Sequence, residues 1–208
     1  LQLILDKNIP FIVPKTGDTI PLDEELDISV IHMGDESADN NEASIVLKLS
    51  YGETSFLLMG DADIRVEKDI LEKTNVKATV LKAGHHGSDT SSSQDFIEAV
   101  NPEVTILSYG KDNSYGHPNA EVKSRLERIS SQLYATAIVG NIVVETDGVD
   151  YNVITNGNVG PTEIANTEAI GINISSKDLR GEIVGITNSG ESAVNLEEWH
   201  LVSVAGNQ

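Results

Sequence analysis

Carboxylate and imidazole side chains follow three apolar segments in the middle of this sequence. The segment LLMG precedes Asp61 and Asp63, the segment VLKAG precedes His85 and His86, and VTILSYG is followed, after a polar loop, by His117. Strand ends that face one edge of an α/β sheet are where such proteins gather ligands and metals. Because Zn²⁺, Mn²⁺ and Fe all accept Asp oxygen and His nitrogen, the pattern predicts a hydrolytic metal site.

Asp61 has the residue type and position of a bridging carboxylate. One such carboxylate can bind two ions that lie about 3.5–4 Å apart. Asp61 follows a buried apolar segment, and Gly60 gives the backbone room to turn. The alternative is the N-cap of a following helix, a role that Asp63 fits better.

The histidines also have structural alternatives. Adjacent side chains on a strand point to opposite faces, so at most one of His85 and His86 faces the metals unless the turn re-aims both. His117, next to Pro118 and just before a helix, would be unremarkable by itself. The run Ser91-Ser92-Ser93 lacks the G-x-S-x-G nucleophile elbow and is interpreted as the start of a helix, with Ser92 and Asp95 resembling a capping box.

Strands and helices alternate along the first three quarters of the chain, which predicts a layered α/β domain. Hydrophobic periodicity predicts strands at 11–13, 26–30, 45–49, 56–59, 78–83 and 104–108, helices at 64–75, 92–100 and 119–133, and three short closing strands at 135–139, 142–146 and 150–154.

Composition and charge limit the possible partners. The chain has 208 residues, 39% of them hydrophobic, and a formal net charge of -19. This charge repels nucleic acid, so contact with DNA would need a local basic patch or bound cations. The absence of cysteine excludes disulfides, a thiolate nucleophile and a Cys-based zinc site. No apolar run reaches the length of a membrane span.

Taken together, the motifs GDAD, LKAGHHGSDTSSS and SYGKDNSYGHP strongly resemble the ComEC-type hydrolases of the metallo-β-lactamase fold. These are soluble hydrolase domains found on, or related to, the bacterial DNA-uptake channel protein of competence. The resemblance covers residues 1–155 and implies the C-terminal part of a four-layer αββα domain.

The resemblance implies a role for each motif. Asp61 would be the carboxylate that bridges two divalent ions, Zn or Mn, and His117 would bind the second ion. His85 or His86 would complete the metal shell, contact the scissile phosphate or protonate the leaving oxygen, and the choice between them stays open. The implied reaction is attack by metal-bound hydroxide on a phosphodiester, with DNA the favoured substrate.

Two more residues, Ser88 and Asn113, are expected to contact substrate oxygens. The family's N-terminal motif H-x-H-x-D-H is absent from this sequence. We therefore expect the chain to begin after that motif and to carry about half of the metal shell. Hydrolase activity is accordingly expected of the parent protein rather than of this fragment, whose exposed sheet edges would favour aggregation.

Residues 156–166 have the composition of a linker, and residues 167–208 are predicted to begin a second domain. Residues 181–208 resemble the opening strands of the lamin-tail domain, an immunoglobulin-like β-sandwich. This resemblance implies a secreted or cell-surface protein. The expected core positions of the sandwich are Ile183, Ile186, Val194, Leu196, Trp199 and Leu201.

Two alternatives to a nuclease remain. One is a hydrolase that acts on choline-phosphate esters of the cell envelope or on lactones, since a fold does not fix a reaction. The other is a non-catalytic exported protein that binds or adheres through its lamin-tail module.

Overall fold

The computed structural model describes residues 2–34, 41–156, 172–178 and 183–188. The chain divides into two units, Leu1–Thr162 and Glu163–Gln208. In the second unit, β9 (Ile172–Asp178) and β10 (Ile183–Asn188) pair as antiparallel strands. Most of the predicted linker and of the segment that resembles a lamin tail lies outside the described residues, so the assignment of that domain stays a prediction.

Six strands of the first unit form one sheet in which spatial order follows chain order. The first three strands are antiparallel, and the third to sixth are parallel. They are β1 (Asp27–His32), β2 (Val46–Tyr51), β3 (Thr54–Leu58), β4 (Val80–Lys82), β5 (Val104–Leu107) and β6 (Gln132–Ala135).

Helices connect the parallel strands, as such strands require. The described helices are α1 (Gln2–Asp6), α2 (Ile64–Lys73), α3 (Gln94–Val100), α4 (Ala120–Arg128) and α5 (Thr136–Val139). A hairpin of β7 (Ile142–Thr146) and β8 (Tyr151–Thr155) follows.

Apolar side chains pack against both faces of the sheet. Leu57 of β3 and Leu81 of β4 belong to a buried cluster with Val66 of α2 and Phe96 of α3. Because side chains alternate along a strand, the neighbouring residues face the other way. On that second face Val80 and other apolar side chains pack against the β7–β8 hairpin.

The prediction of a mixed α/β fold is confirmed by this sheet and its helices. Most of the predicted strands and helices are present within a few residues of their expected bounds. In the first unit, the described residues form helices, one six-stranded sheet and a two-stranded hairpin. The complete four-layer αββα arrangement therefore stays a prediction.

Two predicted strands are wrong, and one predicted helix is present but ends earlier than expected. The helix expected over 119–133 ends at Arg128, Ser130 adopts a left-handed conformation, and Leu133 lies in β6. The regular spacing of apolar residues therefore spans two elements, the helix α4 and the short strand β6, which pairs with β5. Residues 135–139 were expected to be a strand but contain α5, and the apolar residues 11–13 are exposed and form no strand.

The start of α3 is fixed by a carboxylate from another helix. Glu67 of α2 is buried, and it accepts hydrogen bonds from the backbone N–H groups of Ser92 and Ser93, the latter at 2.9 Å. Ser93 is the N-cap but makes no side-chain cap bond, so the expected capping box of Ser92 and Asp95 is wrong. Because His85 and His86 precede this point in the same loop, Glu67 also anchors the loop that carries them.

We predict that Glu67 gives the stability of the fold a distinct pH dependence. Burial raises the pKa of the Glu67 carboxyl, outweighing the hydrogen bonds from Ser93 and Ser92. A raised pKa means that this group stabilises the fold most below the unfolded value of about 4.3, and that the contribution falls as pH rises through the folded value. Relative to Glu67→Gln, the wild type should therefore lose free energy of unfolding as pH rises from the unfolded pKa, about 4.3, through the raised pKa of the folded state.

Urea denaturation of both proteins across this range measures the difference. The control is Glu72→Gln, at an exposed position of the same helix. Its free energy of unfolding should equal that of the wild type at every pH. The raised pKa of Glu67 would be contradicted if the free energy of unfolding of the wild type, relative to that of Glu67→Gln, stayed constant or rose with pH.

Candidate functional site

Asp61, His85, His86 and His117 lie at one edge of the sheet and are here called the Asp–His cluster. Asp61 follows β3 through Gly60, which has a φ of 57°. The Asp61 N–H donates to the Ser44 hydroxyl at 3.0 Å. Asp63, not Asp61, caps α2 by accepting from the N–H groups of Arg65 and Val66. The Asp61 side chain is 46% exposed and is left to face the histidines.

The two adjacent histidines form a tight left-handed turn after β4. His85 has φ 44° and His86 has φ 57°, a region that residues other than glycine seldom occupy. The His85 N–H donates to the Gly60 carbonyl at 3.0 Å, which ties the turn to the loop that carries Asp61. The buried Ser91 hydroxyl lies 2.9 Å from the Gly84 carbonyl on the other side of the turn. This conformation directs both histidine rings to the same edge, which a regular strand could not do.

Each ring of the turn has its own neighbour. His86 Nε2 lies 3.5 Å from Asp61 Oδ1, while His86 Nδ1 donates to the Ser108 carbonyl at 2.6 Å. The centroid of the His85 ring lies 5.7 Å from that of His117 and 6.3 Å from that of His86. The structure therefore brings together all four residues for which the sequence predicted a role in metal binding or catalysis.

Asn113 and Ser88, the predicted substrate contacts, make hydrogen bonds within the loops. The Asn113 amide accepts from the His117 N–H at 3.0 Å and donates to the carbonyls of His117 and Gly110. Ser88 is only 4% exposed, and its hydroxyl lies 3.0 Å from that of Thr90. These contacts favour a role in holding the two histidine loops, and substrate contact by Ser88 or Asn113 stays a prediction.

Electrostatic interactions couple the members of the cluster. Burial lowers the pKa of His117, the positive charges of His85 and His86 lower it further, and Asp89 opposes the shift. Sequence inspection missed a nearby cation, Lys82, which is the last residue of β4. Burial lowers its pKa, and the charge of Asp61 opposes this effect. The signal was a lysine within the otherwise apolar run VLKAG.

The donor chemistry of the cluster fits a divalent metal ion. Because His86 Nδ1 donates to a carbonyl, its Nε2, which lies 3.5 Å from Asp61 Oδ1, is the ring nitrogen left to bind a cation together with that carboxylate. A carbonyl behind the imidazole is also the usual way to orient a metal-binding histidine. The number of donors is smaller than a closed site needs: among the residues that the structure describes, no three His, Asp or Glu side chains converge tightly enough to hold an ion.

A cavity of about 430 Å³ adjoins the cluster. His86 and His117 form part of its wall, together with the two tyrosines Tyr109 and Tyr115. The sequence analysis did not single out these tyrosines, although both occur in a repeated Ser-Tyr-Gly within SYGKDNSYGHP. The ring of Tyr115 stacks on His117 at a centroid distance of 5.8 Å.

Sequence comparison identifies homologues that bear the names of competence and recombination proteins. The chain is 33% identical over 144 residues to ComE operon protein 3 of Bacillus subtilis, a match that covers 68% of this chain and 18% of that protein. It is 39% identical over 107 residues to Recombination protein 2 of Haemophilus influenzae, covering 51% and 13% of the two proteins. It is also 37% identical over 107 residues to Competence protein ComA of Neisseria gonorrhoeae, covering 50% and 16%. The chain thus spans less than a fifth of the length of these relatives.

No family model matches the sequence. One solved structure of a metal-dependent hydrolase, from Parabacteroides distasonis, aligns with a TM-score of 0.42 and 16% identity, covering 66% of this chain and 62% of that one. A likeness this low defines neither the fold nor the chemistry, which rest on the sheet and the cluster described above. Within the described part of the chain, no helix has the length and apolar character needed to cross a bilayer.

We predict that Gly87 is required to keep the two histidine loops in contact. A Cβ at this position, where φ is 82°, would lie 2.7 Å from Pro118 Cβ. Gly87→Ala should therefore lower the free energy of unfolding by about 1–3 kcal/mol more than a substitution that introduces backbone strain alone. Urea denaturation measures the difference.

The matched control is Gly116→Ala. Gly116 also has a positive φ, of 74°, but no atom of the described residues lies within 4 Å of the position that a methyl group would take there. If Gly87→Ala were no more destabilised than Gly116→Ala, the contact with Pro118 would not constrain the turn.

Proposed function

We propose that this chain carries part of the active site of a metal-dependent phosphodiesterase or nuclease of the ComEC type, with DNA as the favoured substrate. The observation that carries the proposal is the approach of His86 Nε2 to Asp61 Oδ1, at 3.5 Å, with His85 and His117 beside them. Homologues named for competence and recombination support a role in DNA metabolism.

The different contacts of the two adjacent histidines suggest different roles. His86 faces Asp61 and has its Nδ1 held by a backbone carbonyl, so we assign it to metal binding with Asp61. His85 lies beside His117, and its Nδ1 is 3.4 Å from the Thr90 hydroxyl. We assign His85 to protonating the leaving oxygen, as general acids do, and His117 to binding a second ion.

Two divalent ions, Zn or Mn, would activate water and stabilise the charge that develops on a phosphodiester. The remaining metal donors would come from residues other than those described here. Bound cations would also offset the net charge of -19 at the point where an anionic substrate approaches. A secreted or cell-surface location is part of the same proposal.

We predict that Asp61→Ala abolishes metal uptake and metal-dependent hydrolysis, because it removes the carboxylate of the Asp–His cluster. The measurements are elemental analysis of the purified full-length protein and turnover of bis(p-nitrophenyl) phosphate and single-stranded DNA. Chelation should remove the wild-type activity, and Mn²⁺ or Zn²⁺ should restore it.

The control for this experiment is Asp95→Ala, an exposed carboxylate on α3, which should keep both metal and activity. Turnover retained in Asp61→Ala would refute the bridging role. A wild-type protein with neither metal nor turnover would refute the hydrolase and favour the non-catalytic binding protein.

We further predict that substitutions of the two adjacent histidines have different effects. Asparagine tolerates the left-handed conformation that both positions adopt. His86→Asn should lower metal content, because its ring faces Asp61. His85→Asn should keep the metal and lower kcat by about 10²–10⁴. Metal content and kcat measured on the same samples separate the two roles, and the reverse result would exchange the assignments.

A further inference from the structure

The cavity beside the Asp–His cluster has an uncharged wall. Its volume of about 430 Å³ is in the range of small-molecule sites. The wall includes His86, Ser108, Asn113, Tyr115, His117 and Thr136. Among the residues that the structure describes, no Asp, Glu, Lys or Arg lines this cavity. A ligand that spans the cavity and the cluster would therefore place a neutral group in the cavity and an anionic group at the histidines.

Tyr115 provides a flat surface at the mouth of this cavity. One face of its ring stacks on His117 with an interplanar angle of 17°, yet the residue is 81% exposed. The other face is therefore accessible to solvent and to a ligand. Exposed aromatic rings are the surfaces on which proteins stack the bases of single-stranded nucleic acid.

Two polar side chains of the wall, those of Asn113 and Thr136, are already engaged with the backbone. Both the oxygen and the nitrogen of the Asn113 amide bond to the loop that carries His117. The Thr136 hydroxyl accepts from the Tyr109 N–H and donates to the Tyr109 carbonyl, each at 3.0 Å. The Ser108 carbonyl accepts from His86. The wall thus favours stacking over recognition of the hydrogen-bonding edge of a particular base.

We propose that this cavity is a nucleobase subsite, which binds the base next to the scissile phosphate by stacking on Tyr115 and does so with little base preference. This inference rests on the proposed function, because it places the phosphate at the histidines. It narrows the substrate to single-stranded or frayed nucleic acid, since a base paired within a duplex cannot enter.

A quaternary ammonium such as choline is a poorer occupant. Recognition of that cation relies on a cage of aromatic faces. Here only two of the four rings that border the cavity are tyrosines, Tyr109 and Tyr115, and the other two are the imidazoles of His86 and His117. Phosphocholine is therefore a competing ligand to be tested rather than the expected one.

The test is direct binding to the metal-free chain in the presence of a chelator, so that it does not depend on turnover. The probes are thymidine 5′-monophosphate, 2-deoxyribose 5-phosphate, in which a hydroxyl group replaces the base, and phosphocholine. NMR titration gives the dissociation constants, and saturation transfer reports whether the base protons touch the protein.

In the wild type, the nucleotide should bind more tightly than the sugar phosphate. Tyr115→Ala should weaken nucleotide binding by about 5- to 150-fold, the range expected for loss of one stacked base, and should leave sugar phosphate binding unchanged. Tyr115→Phe keeps the ring and should bind like the wild type. Adenosine and cytidine 5′-monophosphates should bind within about a factor of ten of the thymidine nucleotide.

Equal affinity for the nucleotide and the sugar phosphate, or nucleotide binding that survives in Tyr115→Ala, would overturn the subsite. Binding of phosphocholine alone, lost in Tyr115→Ala, would also overturn it and support a choline-phosphate substrate. If the base binds as expected but the full-length protein takes up no metal, the proposed hydrolase fails while the base subsite stands. If the full-length protein takes up metal but the base does not bind, the base subsite fails while the proposed hydrolase stands.

Discussion

The hydrogen bond from the His85 N–H to the Gly60 carbonyl joins the two loops on which the candidate site depends. It connects the loop after β3 to the loop after β4, and it holds the histidine turn in a conformation that an isolated chain would avoid. Without this link, the parallel pairing of β3 and β4 would bring the strand ends together but would not direct the side chains. The facing of Asp61 and His86 depends on this link, whereas the position of His85 beside His117 depends on the close approach of Gly87 to Pro118.

The parts of the molecule that could be predicted from the sequence are those governed by local rules. Alternation and helical periodicity located most strands and helices, and the position of Asp and His after strands located the cluster. The choice of Asp63 as the cap of α2 followed from the known preference for Asp at that position. In each case the residues that determine the structure lie within one short segment of the sequence.

The rest depends on contacts between distant segments, which a single sequence does not display. The start of α3 is set by Glu67, 25 residues upstream of Ser92. The apolar spacing of 122–133 fits a helix, and only pairing with β5 makes its end a strand. The orientation of the His85 and His86 side chains depends on two positive φ angles that no local pattern predicts. Tyr109 and Tyr115 can be recognised as candidate site residues only from the cavity that they line.

The parallel register spaces β3, β4 and β5 evenly along the chain. Phe56 pairs with Val80 and Val80 with Val104, so each step of the sheet closes a loop of similar length. Since loop-closure entropy grows slowly with length, no single step dominates the cost of assembly. The Asp–His cluster exists only when β3, β4 and β5 are all in place. Any ligand that binds the cluster therefore favours the assembled sheet by mass action, so occupation of the site and persistence of the fold are thermodynamically linked.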